Sequence, residues 1–210
     1  MKKIFTTLVI VLSFYSLSYA QQYSQQVGQT EFGIGVGYSS AYIVESNSAY
    51  GSSSDFVSGF NVGVSADHYF SDRWSLKVKV LYDQKGWGNG YISTPDYQYQ
   101  DVNFKLNYIT VPVMANWHFG RTRNWYLNFG PYVGFLTSAK ESTDNIDIKN
   151  SINSVDGGIA LGIGIKIPIS DKAKFFIEYD GQGGVVNVFK QSDGTYQNLR
   201  ESFNIGIDFK

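Results

Sequence analysis

The chain has 210 residues, with 17 Lys and Arg against 18 Asp and Glu. It carries neither a basic run nor an aromatic platform set in positive charge, which argues against nucleic acid as a partner. Cysteine is absent, so neither a disulfide framework nor a lipid-modified cysteine anchor is available. The 22 Gly, 16 Tyr and 15 Phe against only 4 Pro suit one continuous antiparallel sheet.

Lys2 and Lys3 precede an apolar stretch over residues 4–17, and Ser18-Tyr19-Ala20 forms a small-x-small cleavage site before Gln21. This order predicts that residues 1–20 are a removed secretory signal, not part of the fold. The stretch is shorter than the ~20 apolar residues a spanning helix needs. Residues 21–30 are polar and read as a short periplasmic segment. Residues 31–210 read as a single barrel domain.

From residue 31 onward, apolar and small or polar residues alternate with period two, the mark of strands with one oily and one wet face. The first predicted strand, about 31–44, sets Phe32, Ile34, Val36 and Tyr38 against Gly33, Gly35 and Gly37. The second, about 56–70, opposes Phe60, Val62 and Val64 to Asn61, Gly63, Ser65 and Asp67. Ser71-Asp72-Arg73 then makes a tight hairpin to a third strand, in which Trp74, Leu76, Val78, Val80 and Tyr82 oppose Ser75, Lys77, Lys79, Asp83 and Lys85. A fourth covers about 102–119, a fifth 125–137, a sixth 155–167, a seventh 175–186 and an eighth 199–209. Eight such strands predict an up-and-down transmembrane β-barrel, because an open sheet edge cannot survive in a bilayer. A soluble β-sandwich or lipocalin-like barrel is the competing fold, but it would point its apolar residues inward.

Connections alternate between short (71–73, 120–124, 168–174) and long (45–55, 87–101, 138–154, 187–198). That rhythm predicts an outer-membrane barrel with both termini periplasmic and four loops outside. Tyr69, Trp74, Trp117, Trp125 and Tyr126 flank the short turns, while Tyr42, Tyr82 and Trp87 lie toward the long loops; together they read as the two aromatic girdles of a membrane protein. The fourth strand departs from the pattern. Its apolar set is even-numbered through Phe104, Leu106 and Tyr108, then odd-numbered through Ile109, Val111, Val113 and Trp117. A bulge or local twist near Tyr108 to Pro112 is the expected cause.

Tyr108-Ile109-Thr110-Val111-Pro112-Val113, His118-Phe119-Gly120 and the run from Asn128 through Gly130-Pro131-Tyr132 to Phe135 resemble the Tyr-Leu-x-x-Pro and Gly-Pro-Tyr segments of porin-family outer-membrane β-barrel proteins abundant in Bacteroidetes. The terminal Phe203 to Phe209 strand is similar to that family as well. The resemblance implies an eight-stranded outer-membrane barrel. It implies no particular activity, and Lys210 departs from the terminal aromatic typical of barrel assembly signals, so that signal would rest on Phe209.

An eight-stranded barrel has room inside for side chains and little else. Lys77, Lys79, Lys105, Glu178, Asp180, Arg200 and Asp208 are expected to project inward and to meet as a charge network that closes the lumen, with Lys77 or Lys79 approaching Glu178 or Asp180. Catalysis finds no support: the two histidines, His68 and His118, fall near the short-turn rim as interfacial residues, and no nucleophile motif or metal-ligand spacing accompanies them. Glycine runs at 33–37 and 157–162 open no helix, so they read as small inward residues instead of nucleotide loops. Glu141, Asp144 and Asp147 could hold a calcium ion, but they lack the glycine and terminal glutamate of a calcium loop and read as a solvated acidic loop. The expected protein is a monomeric, cofactor-free, non-enzymatic barrel in outer-membrane lipid. Its Tyr-, Ser- and Asn-rich loops meet an external ligand or partner; a narrow or gated pore, or a part of an export or surface-assembly machine, are the alternatives.

Overall fold

The computed structural model describes residues 27–45, 54–93 and 98–210. Eight strands run antiparallel in chain order: β1 (Thr30–Glu45), β2 (Val57–Tyr69), β3 (Trp74–Ser93), β4 (Gln98–Phe119), β5 (Trp125–Glu141), β6 (Val155–Pro168), β7 (Ala173–Gly184) and β8 (Tyr196–Phe209). β8 pairs with β1 from Phe32↔Phe209 to Glu45↔Tyr196 and closes the barrel. Closure gives the ladder partners on both sides and leaves no sheet edge for lipid to meet. The expected signal, residues 1–20, lies outside the described residues. Gly28 N–H donates to the Tyr69 carbonyl at 2.7 Å, so the chain is tied to β2 before β1 begins.

One end of the barrel carries turns of a few residues between β2 and β3, β4 and β5, and β6 and β7. The other end carries the longer connections. The segment expected as the loop 87–101 is mostly strand: β3 continues to Ser93 and β4 starts at Gln98, and the two stay paired to those residues. Register shifts on either side of Gly90, with Asn89 at φ 54°, interrupt this pairing as a bulge does.

The outer wall between the two ends is apolar, as the alternation requires. Phe32, Ile34 and Val36 on β1, Val62 and Val64 on β2, Phe129 on β5, Leu161 and Ile163 on β6 and Ile205 on β8 are all exposed. Leu161 is 60% exposed, a poor position in water and a natural one in hydrocarbon. We expect Leu161→Arg to cost about 2–4 kcal/mol near the midplane, read from urea unfolding out of lipid vesicles. An unchanged unfolding midpoint would show that this wall does not sit in lipid.

The fourth strand contains no phase change. Even-numbered residues point inward along β4 from Val102 to His118, and Pro112 takes its place opposite Tyr132 with its side chain buried. A one-residue register shift does occur between Asn107 and Tyr108, but the extra residue is on β5: Asn107 faces Ser138 and Tyr108 faces Leu136, leaving Thr137 between them. The Thr137 hydroxyl donates back to the Asn107 carbonyl at 2.9 Å.

What changes along β4 is the surroundings of the wall. Toward the loop end the outward row is polar, with Gln84 donating to Asn107 at 3.0 Å and Asn107 to Ser138 at 2.8 Å, and with Lys105 and Lys140 exposed beyond it. On the inside at this level Ile43, Trp87, Val102, Phe104, Leu106 and Leu136 form an apolar core. The barrel is therefore apolar outside and charged inside over its lower part, and on its β3 to β5 side polar outside and apolar inside above it.

Candidate functional site

The lumen is the most highly organised polar region of the molecule. The same alternation that turns apolar residues outward turns charged ones inward, and β7 orders them by height: Lys174, Phe176, Glu178, Asp180 and Gln182 climb from the short-turn end and are all buried. At the bottom, the Lys166 ammonium lies 2.8 Å from Glu31, 2.9 Å from Asp67 and 2.9 Å from Asp208, and donates to the Tyr69 hydroxyl at 3.0 Å. Lys174 reaches Glu31 from the other side at 2.6 Å. One step higher, Glu178 receives Lys77 at 3.0 Å, Asn128 at 2.9 Å and Lys79, which also lies 3.4 Å from Asp180. Higher again, Arg200 bridges Asp180 at 2.7 Å and Asp83 at 3.2 Å, and Lys85 meets Asp156 at 2.8 Å with the Tyr132 hydroxyl also donating to that carboxylate.

Among the described residues these layers of the lumen thus hold six cations, Lys77, Lys79, Lys85, Lys166, Lys174 and Arg200, beside seven carboxylates, Glu31, Asp67, Asp83, Asp156, Glu178, Asp180 and Asp208. Near-neutrality is the condition for burying so many charges, since an unpaired one would carry its full desolvation cost. Aromatic rings separate the layers. The Phe176 ring lies across β8 and β1 where both present glycine; a Cβ at Gly206 would come within 2.5 Å of the ring and one at Gly35 within 2.8 Å. Tyr126 lies in the same way across Gly164. Lys77 sits 4.8 Å from the Tyr126 ring and 5.4 Å from the Phe176 ring, a cation held between two π faces. The cavity left between Asn61, Lys77, Lys79, Phe176 and Asn204 measures about 20 Å³, little more than one water requires.

The expected network residues Lys77, Lys79, Glu178, Asp180, Arg200 and Asp208 are all brought into these layers. Lys105 is not: it is odd-numbered on a strand whose even positions face inward, and it stands exposed opposite Lys140. Sequence reasoning placed Asp67, Asp83 and Lys85 on the inner face without assigning them partners. It left out Glu31 and Lys174, although counting the alternation to the strand ends would have reached both.

The aromatic assignments divide by the same rule. Trp74, Trp117 and Trp125 lie on the outer wall near the short turns, where Trp74 and Trp117 sit 6.4 Å apart and Trp117 stacks on Phe119 at 5.3 Å. Tyr42 and Tyr82 face outward toward the loop end, Tyr42 packed edge-on against Phe56 at 4.5 Å. Tyr69, Tyr126 and Trp87 do not belong to a girdle. All three are buried inside, because their positions have inward parity whatever their side-chain type. His68 is outward and exposed, bonded to Thr30 at 2.9 Å. His118 is instead buried in the lumen, 3.1 Å from the Ser75 hydroxyl and 5.0 Å from the Tyr69 ring.

An apolar cap covers the charged layers. Trp87 stacks on Phe104 at 4.7 Å and meets Phe189 edge-on at 5.5 Å. The β5–β6 and β7–β8 loops are joined to each other over this core: Ile152 and Phe189 form a β-bridge, Asn153 N–H donates to the Val188 carbonyl at 2.8 Å, and Lys190 N–H donates to the Ser151 carbonyl at 3.0 Å. A single 3-10 turn, Lys149–Ser151, shapes the first of these loops. Contrary to the expectation of a solvated acidic loop, its acidic residues are not all solvated. Glu141 is buried and accepts the backbone N–H groups of Thr143 and Asp144; burial works to raise its pKa, but these donors outweigh it and hold the carboxyl below its ordinary range. Among the described residues no group of three or more His, Cys, Asp or Glu converges as a metal site.

Comparison with known proteins returns the same architecture. A family model described as "Outer membrane protein beta-barrel domain" matches residues 19–190. Among solved structures, the outer membrane protein OprG from Pseudomonas aeruginosa is 11% identical, covers 89% of this chain and 97% of its own, and superposes with a TM-score of 0.53. Ail, the attachment invasion locus protein of Yersinia pestis, is 15% identical over 88% of this chain and 100% of its own, with a TM-score of 0.44. Neisserial surface protein A is 16% identical over 85% of this chain and 97% of its own, with a TM-score of 0.47. At 11% identity the likeness to OprG is one of fold. No curated protein matches the chain.

Proposed function

The chain belongs to the outer membrane protein β-barrel domain family, and from that premise we propose that it is a non-enzymatic, monomeric surface-binding barrel of the Bacteroidetes type, acting through its long loops. In this reading residues 1–20 are a cleaved export signal, residues 21–30 are periplasmic, both termini stay in the periplasm and the loops face outward. The observation that carries it is the closed interior. Three layers of paired charge and an apolar cap occupy the space a solute would need, so the surface left for recognition is the loop end.

That end is built for contact. The two joined loops form a folded platform over the Trp87 core, with Lys149, Asn150, Lys190, Ser192 and Asp193 exposed or partly exposed on it. A platform already ordered before binding avoids much of the entropy cost of ordering loops on a ligand.

Planar-bilayer recording of the purified full chain is expected to show no stepwise conductance; reproducible unitary steps would replace this reading with a pore. The binding claim is tested on arrays of surface glycans and extracellular proteins, comparing the wild type with a chain in which residues 190–194 are replaced by Gly-Ser. We expect discrete binding that the replacement abolishes. Equal binding by both chains, or none by the wild type, would overturn it.

A further inference from the structure

The lipid-facing wall contains one charge out of place. Glu201 has outward parity on β8, between Leu199 and the exposed Phe203, and lies in register with Ser40 on β1 and Gly181 on β7. On the strands beside it the wall stays apolar toward the loop end, where Val155 and Val185 are exposed and Tyr42 packs on Phe56, while the β3 to β5 side turns polar. Among the described residues, no other carboxylate, lysine or arginine has outward parity on β1, β2, β3, β6, β7 or β8; Lys105 and Lys140 stand on the polar β4 and β5 side. An ionisable group on a lipid face is costly and calls for a functional reason.

The surroundings of Glu201 have the shape of a site. A groove of about 480 Å³ runs along the outer wall beside it, with Phe129, Leu161 and Ile163 along its length and Tyr179, Gly181 and Glu201 at one end. Gly181 keeps that end open: a Cβ there would meet nothing closer than 3.8 Å, so packing of the wall does not require glycine. The Tyr179 hydroxyl donates to one Glu201 oxygen at 2.8 Å and fixes the carboxylate over the groove. A carboxylate has acceptor capacity for several further donors, and hydrocarbon offers none.

We propose that this groove binds an amine-bearing membrane lipid, with one acyl chain lying along Phe129 and Leu161 and the headgroup ammonium donating to Glu201. An anionic headgroup would be repelled by the carboxylate. A quaternary ammonium could approach it but has no N–H to donate. The charge, the donor requirement and the adjoining apolar trough therefore select one chemistry.

The test refolds the full chain into nanodiscs containing equal phosphatidylethanolamine, phosphatidylcholine and phosphatidylglycerol and reads retained lipid by native mass spectrometry. One charge-assisted hydrogen bond corresponds to a preference for phosphatidylethanolamine of about tenfold. Glu201→Gln should abolish the preference, and Gly181→Leu, which fills the groove and leaves the carboxylate in place, should lower retention of all three lipids. Heat-modified gel migration verifies folding, and if either variant fails to fold, the other carries the test alone. Equal retention of the three lipids by the wild type, an unchanged preference in Glu201→Gln, or a dimer formed by the wild type and lost in Glu201→Gln would each overturn the proposal.

Discussion

Lys166→Met is expected to destabilise the barrel by about 3–5 kcal/mol, the range for removing one partner from a buried ionic cluster. The ammonium lies within 3 Å of Glu31, Asp67 and Asp208 together, and all four side chains are buried. Methionine fills similar space and supplies no charge, leaving Lys174, which reaches Glu31, as the neighbouring cation. The cost therefore arises from carboxylates that stay behind and not from lost packing. Urea unfolding in lipid vesicles measures it, and a double-mutant cycle identifies the cause: Lys166→Met combined with Asp67→Asn should cost less than the sum of the two single changes. A loss below about 1 kcal/mol, typical of exposed ion pairs, would show that this layer is open to water and would reopen the case for a conducting lumen.

The parity of each strand was readable because period two has only two phases, and a slip of one residue would turn every apolar side chain of a strand to the wrong face. Phe32, Val62, Leu161 and Ile205 face outward for that reason, and Lys77, Lys79, Glu178 and Asp180 face inward for the same one. Errors arose where residue type was allowed to override parity. Tyr69 and Tyr126 look like girdle residues by composition, yet one is odd on β2 and the other even on β5, and both phases point into the lumen. Conversely, Glu201 shares its parity with Phe203 and Ile205, so its outward position was legible but its anomaly passes unnoticed in a list of inward charges.

The fourth strand shows a subtler limit. A switch of apolar residues from even to odd positions has two physical causes, a bulge that rotates the strand or a change of solvent that reverses which face should be apolar. Sequence alone does not separate them, because both produce the same string. In β4 the cause is solvent: the strand leaves the apolar band near Tyr108, and above that level Lys105 and Asn107 face outward while Phe104 and Leu106 fill the core. The bulge that does exist, at Thr137 on β5, carries no glycine or turn residue to announce it. The loop-to-loop pairing across Ile152 and Phe189 was equally hidden, since it depends on two segments 37 positions apart being brought over one apolar core.

That core supplies the second large effect. Trp87→Ala should cost about 3–5 kcal/mol by the usual scale for large-to-alanine changes in a packed core, because the indole is buried between Phe104 and Phe189 and nothing nearby can collapse into its space without moving a strand. The charged layers below make no use of Trp87, so the loss is expected to be local, with the cap opening while the lower barrel holds. In vesicles, limited proteolysis should then cut within residues 142–154 and 185–195 much faster than in the wild type, while urea unfolding of the barrel shifts little. Trp74→Ala, at the outer wall near the short turns, serves as the control and should leave loop cleavage unchanged. If the loops of Trp87→Ala stay protected, the cap is held by its backbone bridge at Ile152 and Phe189 and not by the aromatic core. If they open and array binding is lost with them, the platform ordered by Trp87 is the recognition surface, and the inverted upper barrel exists to hold it.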